Sequence, residues 1–323
     1  MNSRQARLSC RPIRNAVLVS VTLLASFAGA FTAIAEEGAG AWRNGSEGPQ
    51  PRSEMAVAAE GERAYLVGDY IDATEILIYD AATGQWAIGP DLEAHVHHPM
   101  AAALDGVLYV AGGYDGSWRA SDRLRALDIA TGTWAERAPL PAPLAAGGAA
   151  VLDGRIHLIG GSSSGGVNVP AHFVYDPAAD VWQVAAPLPT LRDHLGVVAL
   201  DGKIVAIGGR INGDPAFNLA TVEIYDPQSD NWQSGAPMPT ARSGVAAAFL
   251  DGIAYIFGGE TRTMTFDTVE AYDAVADSWQ AMASMPTARH GFGAIAYEGE
   301  IHTLMGAPTA GGSRSDIVEI FRP

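Results

Sequence analysis

Cysteine is almost absent from the sequence, and this removes two kinds of chemistry. The single cysteine, Cys10, precedes a long apolar run, so it cannot be the acylated cysteine of a lipoprotein. If the N-terminal segment is removed, the remaining chain can form no disulfide and carries no thiol. Its stability must then come from packing alone.

Long hydrophobic runs are also scarce, and the one exception lies near the N-terminus. Four arginines between residues 4 and 14 precede an uncharged run at 16–35, which ends in Ala33-Ile34-Ala35. A basic segment, an apolar segment and an A-x-A site are typical of a secretory signal, so we expect residues 1–35 to be cleaved and the protein to be exported to the periplasm or the extracellular space. An uncleaved anchor is the alternative, because a run of this length can just span a bilayer.

Positive charge is scarce as well. The 20 lysines and arginines are outnumbered by 36 acidic residues, and the formal net charge is −16. Loss of residues 1–35 removes four arginines and no acid, which lowers the charge to −20. A body with this charge repels nucleic acid and anionic membranes, so we expect neither as a partner.

Glycine and proline, in contrast, are abundant, with 37 and 19 residues. This composition favours many short strands joined by tight turns over long helices. Six of the seven tryptophans recur at intervals of 44, 48, 48, 50 and 47 residues, namely Trp42, Trp86, Trp134, Trp182, Trp232 and Trp279. We therefore expect residues 36–323 to form one domain made of six repeats.

Each repeat follows one template of four strands. An acid-glycine pair such as Asp105-Gly106, replaced by Glu60-Gly61 and Glu298-Gly299 in the outer repeats, predicts a two-residue hairpin with positive φ at both turn residues. The second strand ends on a glycine pair such as Gly208-Gly209, which permits close approach of two backbones. The third strand ends in Tyr-Asp, as at Tyr225-Asp226, where we expect the aspartate to cap the next turn, and the tryptophan lies on the fourth strand.

Four strands per repeat cannot bury both faces alone, so the repeats must stack, and radial stacking gives a β-propeller. The glycine-pair, Tyr-Asp and tryptophan landmarks resemble the kelch repeat over residues 42–323. The resemblance implies an all-β, six-bladed propeller with four antiparallel strands per blade. The last repeat ends at Ile320-Phe321 without a tryptophan, whereas Trp42 has no strands before it, so we expect the N-terminal strand to complete the last blade.

Positively charged or titratable residues lie ten to twelve positions after five of the six tryptophans. They are Arg52, His97, Arg192 with His194, Arg242 and Arg289, whereas Ala145 stands in the remaining repeat. Three of the arginines end a recurring segment, MPTAR at 238–242 and 285–289 and LPTLR at 188–192. Because these loops lead into the innermost strand, we expect the side chains to lie at the rim of the central channel.

A ring of guanidinium groups at the rim would bind an anion such as a small carboxylate, an acidic glycan or an acidic peptide. The alternative is that each arginine tethers its own loop by bonding backbone carbonyls or carboxylates such as Glu54, Asp193 or Glu260. Sequence alone leaves both open.

Kelch adaptor proteins, which the sequence resembles at these loops, hold acidic peptides with arginines before the innermost strand and after the glycine pair. Arg242 and Arg289 match the first position, and Arg210, which follows Gly208-Gly209, matches the second. Arg52 matches less well, because Glu54 replaces the usual glycine two places on. With the export signal, this resemblance leads to the first functional hypothesis, a secreted binding module that performs no chemistry.

The alternative function is that of a sugar isomerase. Periplasmic N-acetylneuraminate epimerases are similar in blade number, export signal and rim charge. In that case Arg192, Arg242 and Arg289 would hold the sugar carboxylate, and Glu260 or His194 would be the catalytic acid–base group. Glu260 follows a glycine pair and is therefore expected on the same face, but it could equally be a loop carboxylate paired with Arg262.

The run His95-Val96-His97-His98 suggests a metal site, because His95 and His97 share one side of an extended chain and imidazole binds zinc and copper well. No third ligand follows at a fixed spacing. From the sequence we therefore expect no metal and no cofactor.

Overall fold

The computed structural model describes residues 39–323, so the signal predicted for residues 1–35 lies outside them. All regular secondary structure in this range is β-structure. Within residues 39–323 no helix is long and apolar enough to cross a membrane.

Six antiparallel sheets of four strands form six blades, as the repeat predicts. Blade 1 consists of β2 (Ala56–Glu60), β3 (Arg63–Val67), β4 (Glu75–Asp80) and β5 (Gln85–Asp91). Blade 2 consists of β6 (Met100–Leu104), β7 (Val107–Ala111), β8 (Leu124–Asp128) and β9 (Thr133–Arg137). Blade 3 consists of β10 (Gly148–Leu152), β11 (Arg155–Ile159), β12 (His172–Asp176) and β13 (Val181–Val184).

The later blades continue the pattern. Blade 4 consists of β14 (Gly196–Leu200), β15 (Lys203–Ile207), β18 (Val222–Asp226) and β19 (Asn231–Ser234), and a short hairpin of β16 (Arg210–Ile211) and β17 (Asp214–Asn218) projects from it. Blade 5 consists of β20 (Ala246–Leu250), β21 (Ile253–Phe257), β22 (Val269–Asp273) and β23 (Ser278–Ala281). Blade 6 consists of β24 (Gly293–Tyr297), β25 (Glu300–Gly306), β26 (Ser315–Arg322) and β1 (Ala41–Asn44).

The innermost strands of the blades form a closed ring. Each of β2, β6, β10, β14, β20 and β24 contacts the next, and β24 contacts β2. They surround a channel lined by small apolar side chains such as Val57, Ala149, Val197 and Ala294. In the last sheet, β1 pairs antiparallel with β26, and Trp42 lies opposite Phe321.

The hairpins between the first two strands confirm the turn prediction in five blades. At Asp105-Gly106, for example, both turn residues have positive φ, 52° and 78°. In blade 1 the prediction is wrong by one residue, because Glu60 belongs to β2 and pairs with Arg63. The turn there is formed by Gly61 and Glu62, of which only Gly61 has positive φ. Glycine adopts positive φ readily, so it occupies the first position of the turn.

The Tyr-Asp and tryptophan landmarks join neighbouring blades. Tyr225 lies opposite Trp232 in blade 4, and its hydroxyl donates to Asp230 (2.8 Å). Asp230 accepts the N–H of Ala186 in blade 3, and the indole N–H of Trp232 donates to the carbonyl oxygen of Ala186 (both 2.8 Å). The same clamp holds Ala138 through Asp180 and Trp182, and Ala236 through Asp277 and Trp279.

The hydrophobic core lies between adjacent sheets. The second strand of each blade is almost wholly buried, whereas the fourth strand is mostly exposed. One cluster, for example, packs β15 against β21 through Val205, Ile207, Ala254 and Ile256. The blades are thus layers of one continuous core, and the channel loops rest on it.

Candidate functional site

The arginines that end the MPTAR and LPTLR segments lie inside the blades. Arg192, Arg242 and Arg289 are fully buried, and Arg52 exposes 1% of its surface. The predicted ring of arginines at the channel rim is therefore not formed, because each guanidinium group turns away from the opening and into its own blade.

A buried glutamate on the third strand explains this placement. Arg242 donates to Glu270 on β22 and to the carbonyl oxygens of Ile256 (3.0 Å) and Gly258 (2.8 Å). Thr240 donates its hydroxyl to Glu270 as well (2.8 Å). The same arrangement occurs in blades 4 and 6, with Thr190, Arg192 and Glu223 and with Thr287, Arg289 and Glu319.

Sequence reasoning missed these glutamates, although the repeat carries their signal. Each of them lies two residues before the tyrosine or phenylalanine of the third strand: Glu223, Glu270 and Glu319. In blade 3 the position of the arginine is taken by Leu144, whose carbonyl oxygen accepts the N–H of Gly113 as that of Arg192 accepts from Gly161, and Phe173 takes the place of the glutamate. In blades 3 to 6 both charges are present together or absent together, which is the pattern expected of a buried ion pair. In blade 1, where Leu77 stands at the glutamate position, Nη2 of Arg52 lies 3.8 Å from Glu75 instead.

Arg210 and Glu260 form another buried pair in place of an open anion site. Nη1 of Arg210 donates to Oε1 of Glu260 over 2.6 Å, and both side chains are less than a tenth exposed. Arg262, which could have paired with Glu260, donates to Asp214 instead. Among the described residues no bond joins Glu260 to His194, so the two candidate acid–base groups are not in contact.

Six loops lead into the innermost strands, and their backbones close a ring at one end of the channel. We call this ring the neck. The ring runs through residues 54, 98, 146, 194, 244 and 291, where each N–H donates to the carbonyl oxygen of the equivalent residue in a neighbouring blade over 2.8 to 3.0 Å. All six residues have positive φ: Glu54, His98, Ala146, His194, Gly244 and Gly291.

Three neck residues bring their side chains together. Glu54, His98 and His194 each place one potential ligand atom within 4.8 Å of the other two. The remaining positions carry alanine or glycine and leave a cavity of about 90 Å³. Of the histidine run, only His98 enters this group. His97 lies behind it, with its Nδ1 2.6 Å from Nδ1 of His98, and Nε2 of His95 lies 2.8 Å from the carbonyl oxygen of Asp69.

Charged groups surround the neck and shift one another's pKa. Burial alone would raise the pKa of Glu54, but His98 and His290 hold it well below its usual value. For His290, burial is outweighed by Glu54 and Glu260, and its pKa is raised. Burial would also raise the pKa of Asp193, but His194 and Arg210 lower it to about 2. The neck and its surroundings are therefore a set of buried, electrostatically coupled groups inside an acidic protein.

A second feature lies around the neck, on the same face. The loops between the second and third strands form what we call the crown, residues 68–74, 112–123, 160–171, 208–221, 258–268 and 307–314. Each crown loop is hydrogen-bonded to the neck loop of its own blade, as in the reciprocal bonds between Ser162 and Ala145. Five crown loops carry a large apolar side chain that is 44% to 59% exposed: Ile71, Trp118, Val167, Phe217 and Met264.

Contacts between neighbours tie the crown loops into one body. Examples are the bond from the N–H of Asn212 to Oδ1 of Asn168 (2.7 Å) and that from Thr265 Oγ1 to the carbonyl oxygen of Pro308 (2.9 Å). Arg314 donates to Asp69 over 2.8 Å and links the last loop to the first. The exposed apolar groups are therefore held on a rigid support.

Comparison with known proteins agrees with the architecture. The family model of the Kelch motif matches residues 98–141, 191–239 and 241–286. A search of curated proteins finds no match to this chain. Three matched segments and six blades with four antiparallel strands each place the chain in the kelch-repeat β-propeller family.

Proposed function

We propose that this chain is a protein-binding module and that its partner docks on the crown. The observation that carries the proposal is the distribution of exposed apolar side chains, one from each of five successive blades on one face. The turns on the opposite face carry fewer such groups: among residues 39–323, they expose one large apolar side chain, that of Val275. A set of apolar groups concentrated on one rigid face is typical of an interaction surface.

Trp118 is the best candidate for an anchor residue. It has a positive φ of 57°, although its side chain is bulky, and it is 46% exposed. The ring centroids of His97 and Tyr114 lie 4.7 and 5.2 Å from that of Trp118, so these two side chains pack against the indole and hold it in place. Rigid, supported aromatic side chains contribute most of the binding energy at many protein interfaces.

The charges of the crown favour an apolar partner over an anion. Arg119, Arg262 and Arg314 are paired with Asp115, Asp214 and Asp69 respectively. The acidic glycan, small carboxylate or acidic peptide expected from the sequence would have to displace these carboxylates, or the glutamates that hold the buried arginines. In the epimerase alternative, the carboxylate of the sugar would have to displace the same groups. We therefore propose that the partner is a protein segment that presents apolar side chains.

The experiment is a comparison of three forms of the chain as bait in an extract of the organism that encodes it. We expect the wild type and Val275→Ser to retain the same partner, and Trp118→Ser with Phe217→Ser to lose at least about 90% of it, as expected when anchor residues are removed. Equal recovery by all three forms would contradict docking on the crown.

A further inference from the structure

We propose that the neck binds one divalent transition-metal ion, such as Zn²⁺, through Glu54, His98 and His194. This site lies in the neck, at one end of the channel, and does not depend on the docking function proposed above. It uses two imidazole nitrogens and one carboxylate oxygen, a ligand set that zinc and related metals prefer.

The proton positions on His97 and His98 leave one nitrogen of His98 without a proton, so this nitrogen can bind a cation. Nε2 of His97 lies 3.2 Å from the carbonyl oxygen of Asp115, which can only accept, so this nitrogen carries the proton. Nδ1 of His97 is then an acceptor, and Nδ1 of His98, 2.6 Å away, must donate to it. Nε2 of a neutral His98 consequently bears a lone pair.

That lone pair faces a carboxylate oxygen. Nε2 of His98 lies 3.0 Å from Oε2 of Glu54, and both atoms are buried. Two acceptors at this distance repel each other unless a positive charge lies between them. Ligands about 2.1 Å from a metal ion and about 90–110° apart are separated by roughly 3.0–3.4 Å, so this pair already has the spacing of two neighbouring ligands.

His194 supplies the third ligand atom. Its Nδ1 lies 2.5 Å from Oδ1 of Asp193 and donates to it, which leaves Nε2 as the acceptor. The side chain is 7% exposed, and Nε2 has no hydrogen-bond partner among residues 39–323. A metal-bound histidine commonly donates its other nitrogen to a carboxylate in this way.

The surroundings also suit an ion. Oε1 of Glu54 lies 3.1 Å from Nδ1 of His290, so each of the three ligand residues has a partner behind it that orients it. Ala146, Gly244 and Gly291 complete the ring without filling it. Three protein ligands leave at least one coordination position free, and this position would face the cavity, as in sites where zinc binds a water or a substrate.

The test uses the untagged chain stripped with a chelator and then titrated with Zn²⁺ and, separately, with Co²⁺. We expect one Zn²⁺ per chain by calorimetry and a visible absorption band of bound Co²⁺. Glu54→Gln, His98→Ala and His194→Ala should each weaken Zn²⁺ binding by more than about 100-fold. Loss of a residue that only orients a metal ligand usually weakens binding less than this. His95→Ala, in the same histidine run but outside the neck, should bind as the wild type does.

Glu54→Gln keeps the size of the side chain, so it remains informative if a histidine variant does not fold. Absence of Zn²⁺ binding by the wild type would overturn the proposal and would mean that a proton lies between His98 and Glu54. Binding that is unchanged in all three neck variants, or lost in His95→Ala, would overturn it as well.

Discussion

At the scale of single residues, the arginine of each MPTAR segment joins two blades. The side chain of Arg242 bonds Glu270 in its own blade, and its carbonyl oxygen accepts the N–H of Gly209 from the preceding blade (3.0 Å). The carbonyl oxygens of Arg192 and Arg289 accept from Gly161 and Gly259 in the same way. The segment recurs because each of these blade boundaries needs the same buried connection.

This geometry predicts that loss of the arginine alone destabilises the protein, whereas replacement of both the arginine and the glutamate costs much less stability. Arg242→Leu leaves the carboxylate of Glu270, which is 4% exposed, without its partner and should lower the free energy of unfolding by about 3–5 kcal/mol. Adding Glu270→Phe reproduces the pair found in blade 3, Leu144 and Phe173, and should recover at least half of the loss. Urea denaturation of the two variants measures the difference, and a double variant as unstable as the single one would contradict the interpretation.

At the scale of strands, blade 3 has two histidines in the middle of its sheet. Nδ1 of His157 on β11 lies 3.0 Å from Nε2 of His172 on β12, and Nδ1 of His172 donates to the carbonyl oxygen of Ala186 (2.9 Å). His172 therefore accepts from His157, and both rings are neutral. Burial lowers the pKa of each to about 4, and the charge of His172 contributes to the shift at His157.

These lowered pKa values predict a loss of stability in mild acid. The unfolded chain takes up protons at both histidines below about pH 6.5, whereas the folded chain does so only near pH 4. The contribution to stability is therefore fully present above pH 6.5 and is lost as the pH falls toward 4, by up to about 3 kcal/mol per histidine. Unfolding midpoints at pH 7.5 and 4.5 should differ less in a double variant, His157→Leu with His172→Leu. Equal differences in both proteins would contradict the assignment.

Strands and turns could largely be predicted because their causes are local. Asp-Gly adopts positive φ by itself, and the aspartate of Tyr-Asp caps its own turn, as Asp226 does by accepting the N–H of Gln228 (2.9 Å). The misplaced turn at Gly61-Glu62 is the exception, because strand register over β2 and β3 decided which residues formed it.

At the scale of the whole molecule, the N-terminal strand lies beside the C-terminal one. Trp42 on β1 packs against Phe321 and Phe257, with ring centroids 4.9 and 5.9 Å away, and its indole N–H donates to the carbonyl oxygen of Ala283 (2.9 Å). Without β1, the backbone edge of β26 would be unpaired, and an open strand edge is prone to association.

We therefore predict that Trp42 matters to the stability of the whole ring. Trp42→Ala should lower the free energy of unfolding by about 2–3 kcal/mol, somewhat less than for a fully buried tryptophan. Trp118→Ala is the matched control, because this tryptophan lies on the crown and is 46% exposed, and it should cost less than about 1 kcal/mol. Thermal unfolding compares the two, and equal losses would contradict a role of β1 in closing the ring.

The sequence by itself determined the number of repeats, because one tryptophan marks each of them, and it determined the order of strands within a blade and most turns, because glycine pairs and Asp-Gly act over a few residues. Tertiary structure decided where the charges point. Arg242 turned to a glutamate 28 positions away, and the neck assembled Glu54, His98 and His194 from three different blades. The glutamate lies in the same repeat as the arginine, but no local pattern unites the three neck residues, since only closure of the ring places them a few ångströms apart.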